Sequence, residues 1–319
     1  MTAADEDLDL YRSTVAALLR AAAPGALVAE LVAQGWAGLA DDDPATAVGV
    51  LFEEQGRARV ASRALDLVVA RAVGAPTEDA GGGLVVVHPT SAAPPGRPGT
   101  AGGLVVAGVV LAGASGTAAL VPLASGAVTV PFARLTTTPV DGLDPAIGLV
   151  SVAADEAEAQ AHVGRAVPWD DVVAAARRAL SHELVGVADA MLEVAVGQVI
   201  DRHQFGRPVG AFQAVKHRLA DARVALDAAR AGLAAAWRQP ESRTAAMAKV
   251  LAGRAALLAA KHAQQVCGAI GFTTEHPLPG LVRRAYVLDA LYGPAALLQE
   301  ELGQALLAER AAPRLRPSW

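Results

Sequence analysis

The chain has a single cysteine, Cys267, in 319 residues, which excludes an internal disulfide and fits a reducing compartment. It also lacks a basic surplus. Its 27 lysines and arginines stand against 32 aspartates and glutamates, and a net charge of −5 leaves no electrostatic footprint for nucleic acid. The first residues, Met1-Thr-Ala-Ala-Asp-Glu-Asp, are acidic where a secretory signal is basic, so the expectation is a cytoplasmic enzyme or enzyme subunit. No internal repeat is present, and no residue cluster stands out as a metal site. Apolar residues are plentiful at 53%, enough for a large core and for two or three domains.

Residues 99–133 carry no charged side chain and include Leu104-Val-Val-Ala-Gly-Val-Val-Leu111, a run that resembles a membrane span. Its punctuation argues otherwise. Gly102, Gly103, Gly108, Gly113, Gly116, Pro122, Gly126 and Pro131 cut it into pieces of strand length rich in β-branched residues, so buried strands and no membrane segment are predicted. Gly83–His88 and Gly148–Ala153 read as further strands, and Thr90–Thr100 as an irregular loop. Helices are predicted over Leu8–Ala22, Gly25–Gln34, Ala45–Gln55 and Val60–Val73. After Pro168-Trp-Asp170 the apolar positions step by three and four: Leu180, Leu184, Val187, Met191 and Val194, then Phe212 through Leu233. A third long helix is expected from near Ser242 to Cys267, and a fourth segment broken at Gly293-Pro294. The expected fold is therefore α+β: a helical region at 1–78, a small β domain at 79–162, and a C-terminal four-helix bundle at 163–319.

Two ordered blocks carry more information than any composition. One is Arg202-His-Gln-Phe-Gly-Arg-Pro-Val-Gly-Ala-Phe-Gln213, continuing through Lys216-His-Arg-Leu-Ala-Asp221; the other is Gln265-Val-Cys-Gly-Ala-Ile-Gly-Phe-Thr-Thr-Glu-His-Pro-Leu278. Together they resemble the acyl-CoA dehydrogenases, whose Arg-x-Gln-Phe-Gly turn and Gln-x-x-Gly-Gly-x-Gly-Phe-Thr-x-Glu signature serve one dinucleotide site across a subunit interface. The resemblance is concentrated in residues 165–319. It implies FAD as cofactor, with Arg202, Gln204, Phe205, Gly206, Gln213, Gln265, Gly268 and Gly271 holding its adenine and pyrophosphate end. These residue types suit that task. Arg202 offers a planar cation to a pyrophosphate, Phe205 a flat apolar face to adenine, Gly206 close backbone approach, and Gln204 and Gln213 neutral donors and acceptors. Ala269 stands where the family has its second glycine, so a slightly altered turn is expected.

The same resemblance makes the N-terminal helical and β regions look reduced. In place of the family's Thr- or Ser-rich stretch and Trp-Ile-Thr motif, which pack on the flavin ring, the comparable stretches His88–Ala92 and Ala112–Thr117 carry Thr90, Ser91, Ser115 and Thr117 but no tryptophan. Such hydroxyls either bond a flavin or cap turns. The two usual locations of the catalytic carboxylate are also changed. Tyr292, before Gly293, occupies the place of the glutamate in Tyr-Glu-Gly, and Ala176, followed by Arg177, occupies the alternative place on the first long helix. A phenol with an ordinary pKa of about 10 is a poor base at neutral pH. Asp221 is the leading candidate for the base, because heteromeric members of the family carry one on this helix, while its proximity to His217 and Arg218 equally suits a helical ion pair. Glu183 and Asp289 are lesser candidates, expected to be solvated, and Arg177 either steers the CoA thioester or is a surface arginine.

The resemblance thus points to the short subunit of a heteromeric bacterial acyl-CoA dehydrogenase of the steroid side-chain type. The expected partner is a longer dehydrogenase subunit in a heterotetramer, with an acyl-CoA substrate and an electron-transfer flavoprotein or similar acceptor. A complete homomeric flavin dehydrogenase and a non-catalytic stabilising subunit remain the alternatives.

Overall fold

The computed structural model describes residues 3–22, 26–76, 83–100 and 102–310. The expected boundary at 78/79, the first residue of the Gly25–Gln34 helix, and Met1 and Thr2 lie outside the described residues. Five helices come first: α1 (Ala3–Ala21), α2 (Leu27–Ala33), α3 (Trp36–Asp42), α4 (Pro44–Ala58) and α5 (Ala64–Ala72). α3 was not anticipated from sequence, its seven residues being too short to show a period. α4 begins where its sequence dictates. Asp43 accepts a hydrogen bond from the Thr46 amide at 3.1 Å, and Pro44 fills the first turn, where no amide is needed.

Two four-stranded sheets follow. The first has the order β1 (Leu84–Val86), β4 (Ala118–Pro122), β5 (Ser125–Pro131), β8 (Ala161–Pro168). The second has the order β2 (Gly96–Pro98), β3 (Leu104–Val110), β7 (Val150–Ala157), β6 (Thr136–Pro139). All pairings are antiparallel except β1 with β4. Alternation along the strands decides which core each side chain enters. Val85, Val87, Ala119, Val121, Val128 and Val130 meet Val106, Val110 and Val152 between the sheets. Leu84, Val86, Leu120 and Ala127 point the other way, into the helical core. The charge-free run thus becomes β3, β4 and β5, and among the described residues no helix is long and apolar enough to cross a membrane. β8 extends to Pro168, past residue 162, with a mostly exposed face that gives little hydrophobic signal.

The helices that follow are α6 (Trp169–Asp201), α7 (Gln213–Arg238), α8 (Ser242–Cys267), α9 (Leu278–Ala290) and α10 (Ala295–Glu309), with the expected break falling between the last two. Leu180, Leu184, Val187 and Met191 are buried on α6, and Ala222, Leu226, Ala229 and Leu233 on α7. α4 crosses α6 at backbone contact. A Cβ on Gly56 would collide with the Glu183 carbonyl oxygen, and one on Gly186 with the Glu53 carbonyl oxygen, so glycine sits on both sides of the crossing.

Candidate functional site

α6 ends at Asp201, and the chain turns through a short hairpin in which His203 and Gln204 pair with Pro208 and Arg207. Phe205 and Gly206 form its tip, with φ of 53° and 75°. Positive φ at both central residues is what a tight two-residue hairpin of primed type requires. Gly206 adopts it freely; Phe205, a bulky L-residue, pays in strain. The ring is nevertheless 91% exposed, touched at its edge by Phe212, over which Arg207 lies at 4.1 Å.

The second block meets this corner. α8 stops at Cys267 because Gly268 takes φ 68°, ψ −145°, a region closed to L side chains. The Arg202 Nη1 atom lies about 4 Å from the position a Cβ on Gly268 would occupy. Gln265, Gly268, Ala269, Phe272, Lys261 and Tyr286 line an open groove of about 570 Å³. Ala269 has no positive φ, so the alanine fits its turn without strain. Gly271 is packed tightly, since a Cβ there would lie 2.9 Å from that of Cys267. Arg202, Gln204, Phe205, Gly206, Gln213 and Gln265 are all exposed on the isolated chain.

A different cluster surrounds Tyr292. It is buried, has φ 57°, and donates its hydroxyl to His88 Nδ1 at 3.0 Å. His88 Nε2 donates to Asp66 Oδ1 at 2.8 Å, and Asp66 also accepts from Arg63 Nε at 2.9 Å and the Val86 amide at 3.2 Å. The Asp66 contact places the imidazole proton on Nε2 and leaves Nδ1 as the acceptor for the tyrosine. Burial, with the nearby charge of Asp66, holds the Tyr292 hydroxyl well above its ordinary pKa. Trp169 stacks on the ring at 6.3 Å. Two cations clamp the turn. Arg177 Nε donates to the Tyr292 carbonyl at 3.0 Å, and the buried Lys249 ammonium donates to the carbonyls of Asp289 at 2.9 Å and Gly293 at 3.3 Å. Burial lowers the Lys249 pKa to about 8.

Residues 171–307 match the family described as acyl-CoA dehydrogenase, C-terminal domain. The C-terminal helical region is thus similar to that family's C-terminal domain. Acyl-CoA dehydrogenase IpdE2 of Mycobacterium tuberculosis is 34% identical over 168 residues, 53% of this chain and 49% of the relative. The chain thus aligns with about half of that relative's length. The whole chain has the acyl-CoA dehydrogenase fold. It superposes on a variant of the Tcur3481-Tcur3483 steroid ACAD with a TM-score of 0.78 at 22% identity, covering 97% of this chain and 99% of the other. The ChsE4-ChsE5 complex from Mycobacterium tuberculosis gives 0.74 at 22% identity, covering 98% and 99%.

Set on the acyl-CoA dehydrogenase fold, the sequence candidates divide into two groups. Of the residues expected to hold a dinucleotide, Arg202, Gln204, Phe205, Gly206, Gln213 and Gln265 are exposed and Arg202 reaches Gly268, whereas Gly271 is buried. Asp221 is exposed on α7 and forms no ion pair within 4 Å among the described residues; Arg218 turns instead toward His262 Nδ1 at 3.5 Å. Asp221 is not among the residues lining the groove. Glu183 and Asp289, expected in solvent, are both buried. Glu183 faces Arg284 Nη1 at 3.6 Å, and Arg284 Nε donates to Asp144 at 2.7 Å. Burial pushes the Glu183 carboxyl up to about 7 despite the arginine. Asp289 accepts from the Ala295 amide at 3.1 Å, bridging the break between α9 and α10. Both helices are enclosed on several sides, so neither carboxyl group faces open solvent. Arg177 is half-buried and engaged with the turn. Ser91 accepts from the Ala93 amide at 3.3 Å, a turn cap, and Thr90, Ser115 and Thr117 are exposed. Sequence reasoning missed Asp66, Arg63 and His88, which lie far from Tyr292 in the chain. The one available signal was a histidine closing the otherwise apolar expected strand Gly83–His88.

Proposed function

We propose that this chain is a subunit of an FAD-dependent acyl-CoA dehydrogenase that acts in α,β-dehydrogenation of an acyl-CoA thioester, lending the adenine and pyrophosphate half of the FAD site to a longer partner subunit. The observation that carries the reading is the contrast between its two candidate centres. The Arg202 and Gly268 face is open, while the Tyr292 centre is filled by hydrogen-bonded side chains. The open face suits a dinucleotide: an exposed guanidinium, an uncovered aromatic ring, a glycine-only turn and a groove of about 570 Å³ lie together. FAD bound there supplies the hydride acceptor. Arg202 would hold the pyrophosphate, Phe205 would cover the adenine, and Gln204, Gln213 and Gln265 would supply neutral hydrogen bonds. Gly206 and Gly268 would keep the backbone turns open for that approach, while Gly271 lets the turn pack closely on Cys267.

Tyr292 is unsuited to remove a Cα proton, because its hydroxyl already donates to His88 and its ionised form is disfavoured. Asp221 is the candidate base on this chain, on the condition that a partner surface desolvates it. The pairing of two gene products in the Tcur3481-Tcur3483 and ChsE4-ChsE5 structures supports a heteromer, and IpdE2 supports a bacterial acyl-CoA substrate. An electron-transfer flavoprotein or similar acceptor completes the reading. A non-catalytic, stabilising role is the second reading, favoured by the filled Tyr292 centre.

The test is co-expression with a longer family member. Flavin is expected in the assembled complex and not in this chain alone, and Arg202→Ala is expected to weaken FAD retention by about 1.5–3 kcal/mol. Flavin tightly bound to the chain alone, or full occupancy in the Arg202→Ala complex, would refute the proposal.

A further inference from the structure

A cavity of about 640 Å³ lies away from both centres, where α3, α4 and α5 meet β8, α6 and α7. That volume is ordinary for a small-molecule site. Its walls include Trp36, Val48, Val68 and Trp237. Both indole N–H groups are already engaged, Trp36 with the Ala47 carbonyl at 3.3 Å and Trp237 with His182 Nε2 at 3.0 Å. The rings therefore offer the cavity apolar surface.

Three arginines line the same space: Arg71, Arg165 and Arg178. Arg71 is paired with Asp41 at 2.5 Å. Arg178 is different. Its guanidinium lies over Trp237 at 4.9 Å, and its Nε and Nη1 atoms are buried with no hydrogen-bond partner among the described residues. Asp171 acts on it electrostatically but forms no ion pair within 4 Å. Orphaned buried donors on a half-buried cation are costly, and native structures nearly always satisfy such donors. Arg165, on β8, is exposed at the cavity and makes no ion pair within 4 Å among the described residues.

We propose that this cavity binds a small anionic amphiphile, its carboxylate or phosphate head on Arg178 and Arg165 and its apolar body against Trp36, Val48 and Val68. α6 separates this site from the Tyr292 centre: Ala175 and Arg178 face the cavity, whereas Arg177 faces Tyr292. None of the residues assigned to the dinucleotide face lines it.

The test uses tryptophan fluorescence of the full chain, since Trp36 and Trp237 form the walls, with titration by decanoate, decyl phosphate, decanol and decyltrimethylammonium. Saturable binding of decanoate, decyl phosphate or both is expected, with decanol and the cation at least about tenfold weaker, as loss of a charge-assisted hydrogen bond implies. The stronger of the two anions identifies the head group. Arg178→Met should raise the Kd about tenfold or more, and Arg165→Met, on an exposed side chain that the fold does not need, should raise it severalfold. Decanol binding as tightly as the anions, absence of saturable anion binding, or a Kd unmoved by Arg165→Met and by any soluble Arg178→Met protein would overturn the proposal.

Discussion

Glu183→Gln is expected to stabilise the protein at alkaline pH, although it removes one partner of a buried arginine. The carboxyl is enclosed by α4, α6 and α9, with its pKa pushed up to about 7 from an unfolded value of 4.5. The native state therefore holds this proton more tightly than the unfolded state. Stability from the group is complete below about pH 4.5, falls as pH rises from there to 7, and is level beyond. Each tenfold drop in hydrogen-ion activity inside that window removes about 1.4 kcal/mol, so the wild type loses roughly 3 kcal/mol by pH 8. Glutamine keeps the shape without the titration, and Arg284 retains Asp144 at 2.7 Å. Equilibrium urea unfolding at fixed protein concentration should show the variant more stable by about 2–3 kcal/mol at pH 8 and by no more than about 1 kcal/mol at pH 5. If the variant is equal or weaker at pH 8, the carboxylate is ionised and its pairing with Arg284 outweighs burial, contrary to this reasoning.

Gly268→Ala forces a side chain into φ 68°, ψ −145° and should cost about 1–3 kcal/mol in the same assay; an unchanged urea midpoint would mean the turn relaxes freely. Tyr292→Phe leaves His88 Nδ1 buried without its donor, so stability should drop by about 1–3 kcal/mol, while single-turnover flavin bleaching in the assembled complex persists. Asp221→Asn should slow that bleaching far more; a large loss for Tyr292→Phe with none for Asp221→Asn would show the chemistry has been misplaced. The exposed Phe205 and Phe272 predict a stable oligomer built through the C-terminal helices, and sedimentation as a monomer at micromolar concentration, with and without the partner, would contradict it.

Much of the C-terminal half was legible because its signals are local. Leu180 to Met191 and Ala222 to Leu233 recur at helical spacing, and Gly293-Pro294 announces a break within a few residues of where it occurs. The Arg202 and Gln265 blocks stand out in the sequence as ordered motifs, though that Arg202 and Gly268 are neighbours required the turn of α8 back toward the hairpin. The Tyr292 centre was not legible. Its partners come from α5, from two residues beyond β1 and from the start of α6, and nothing in the spacing of Asp66, His88 and Trp169 links them. Burial of charge was equally hidden, because Glu183, Asp289 and Lys249 look like solvated helix residues until the surrounding elements close over them.

The crossing of α4 on α6 bears on how the chain assembles in time and how far it can be trimmed. With Gly56 and Gly186 in place, the two helices share one interior, and α4 is the strip that completes the wall of the C-terminal bundle. The N-terminal helices are therefore not a separately folding unit added to a finished bundle. Synthesis delivers α4 long before its seat exists, so it must wait, exposing Val50, Leu51 and Phe52, until α6 emerges. The same logic limits deletion from the N-terminal side. Loss of α1 would break the Arg12–Glu54 pair and remove Val15 and Leu19 from the core, whereas removal of α4 would strip the face of α6 that carries Glu183, leaving the bundle with an open seam.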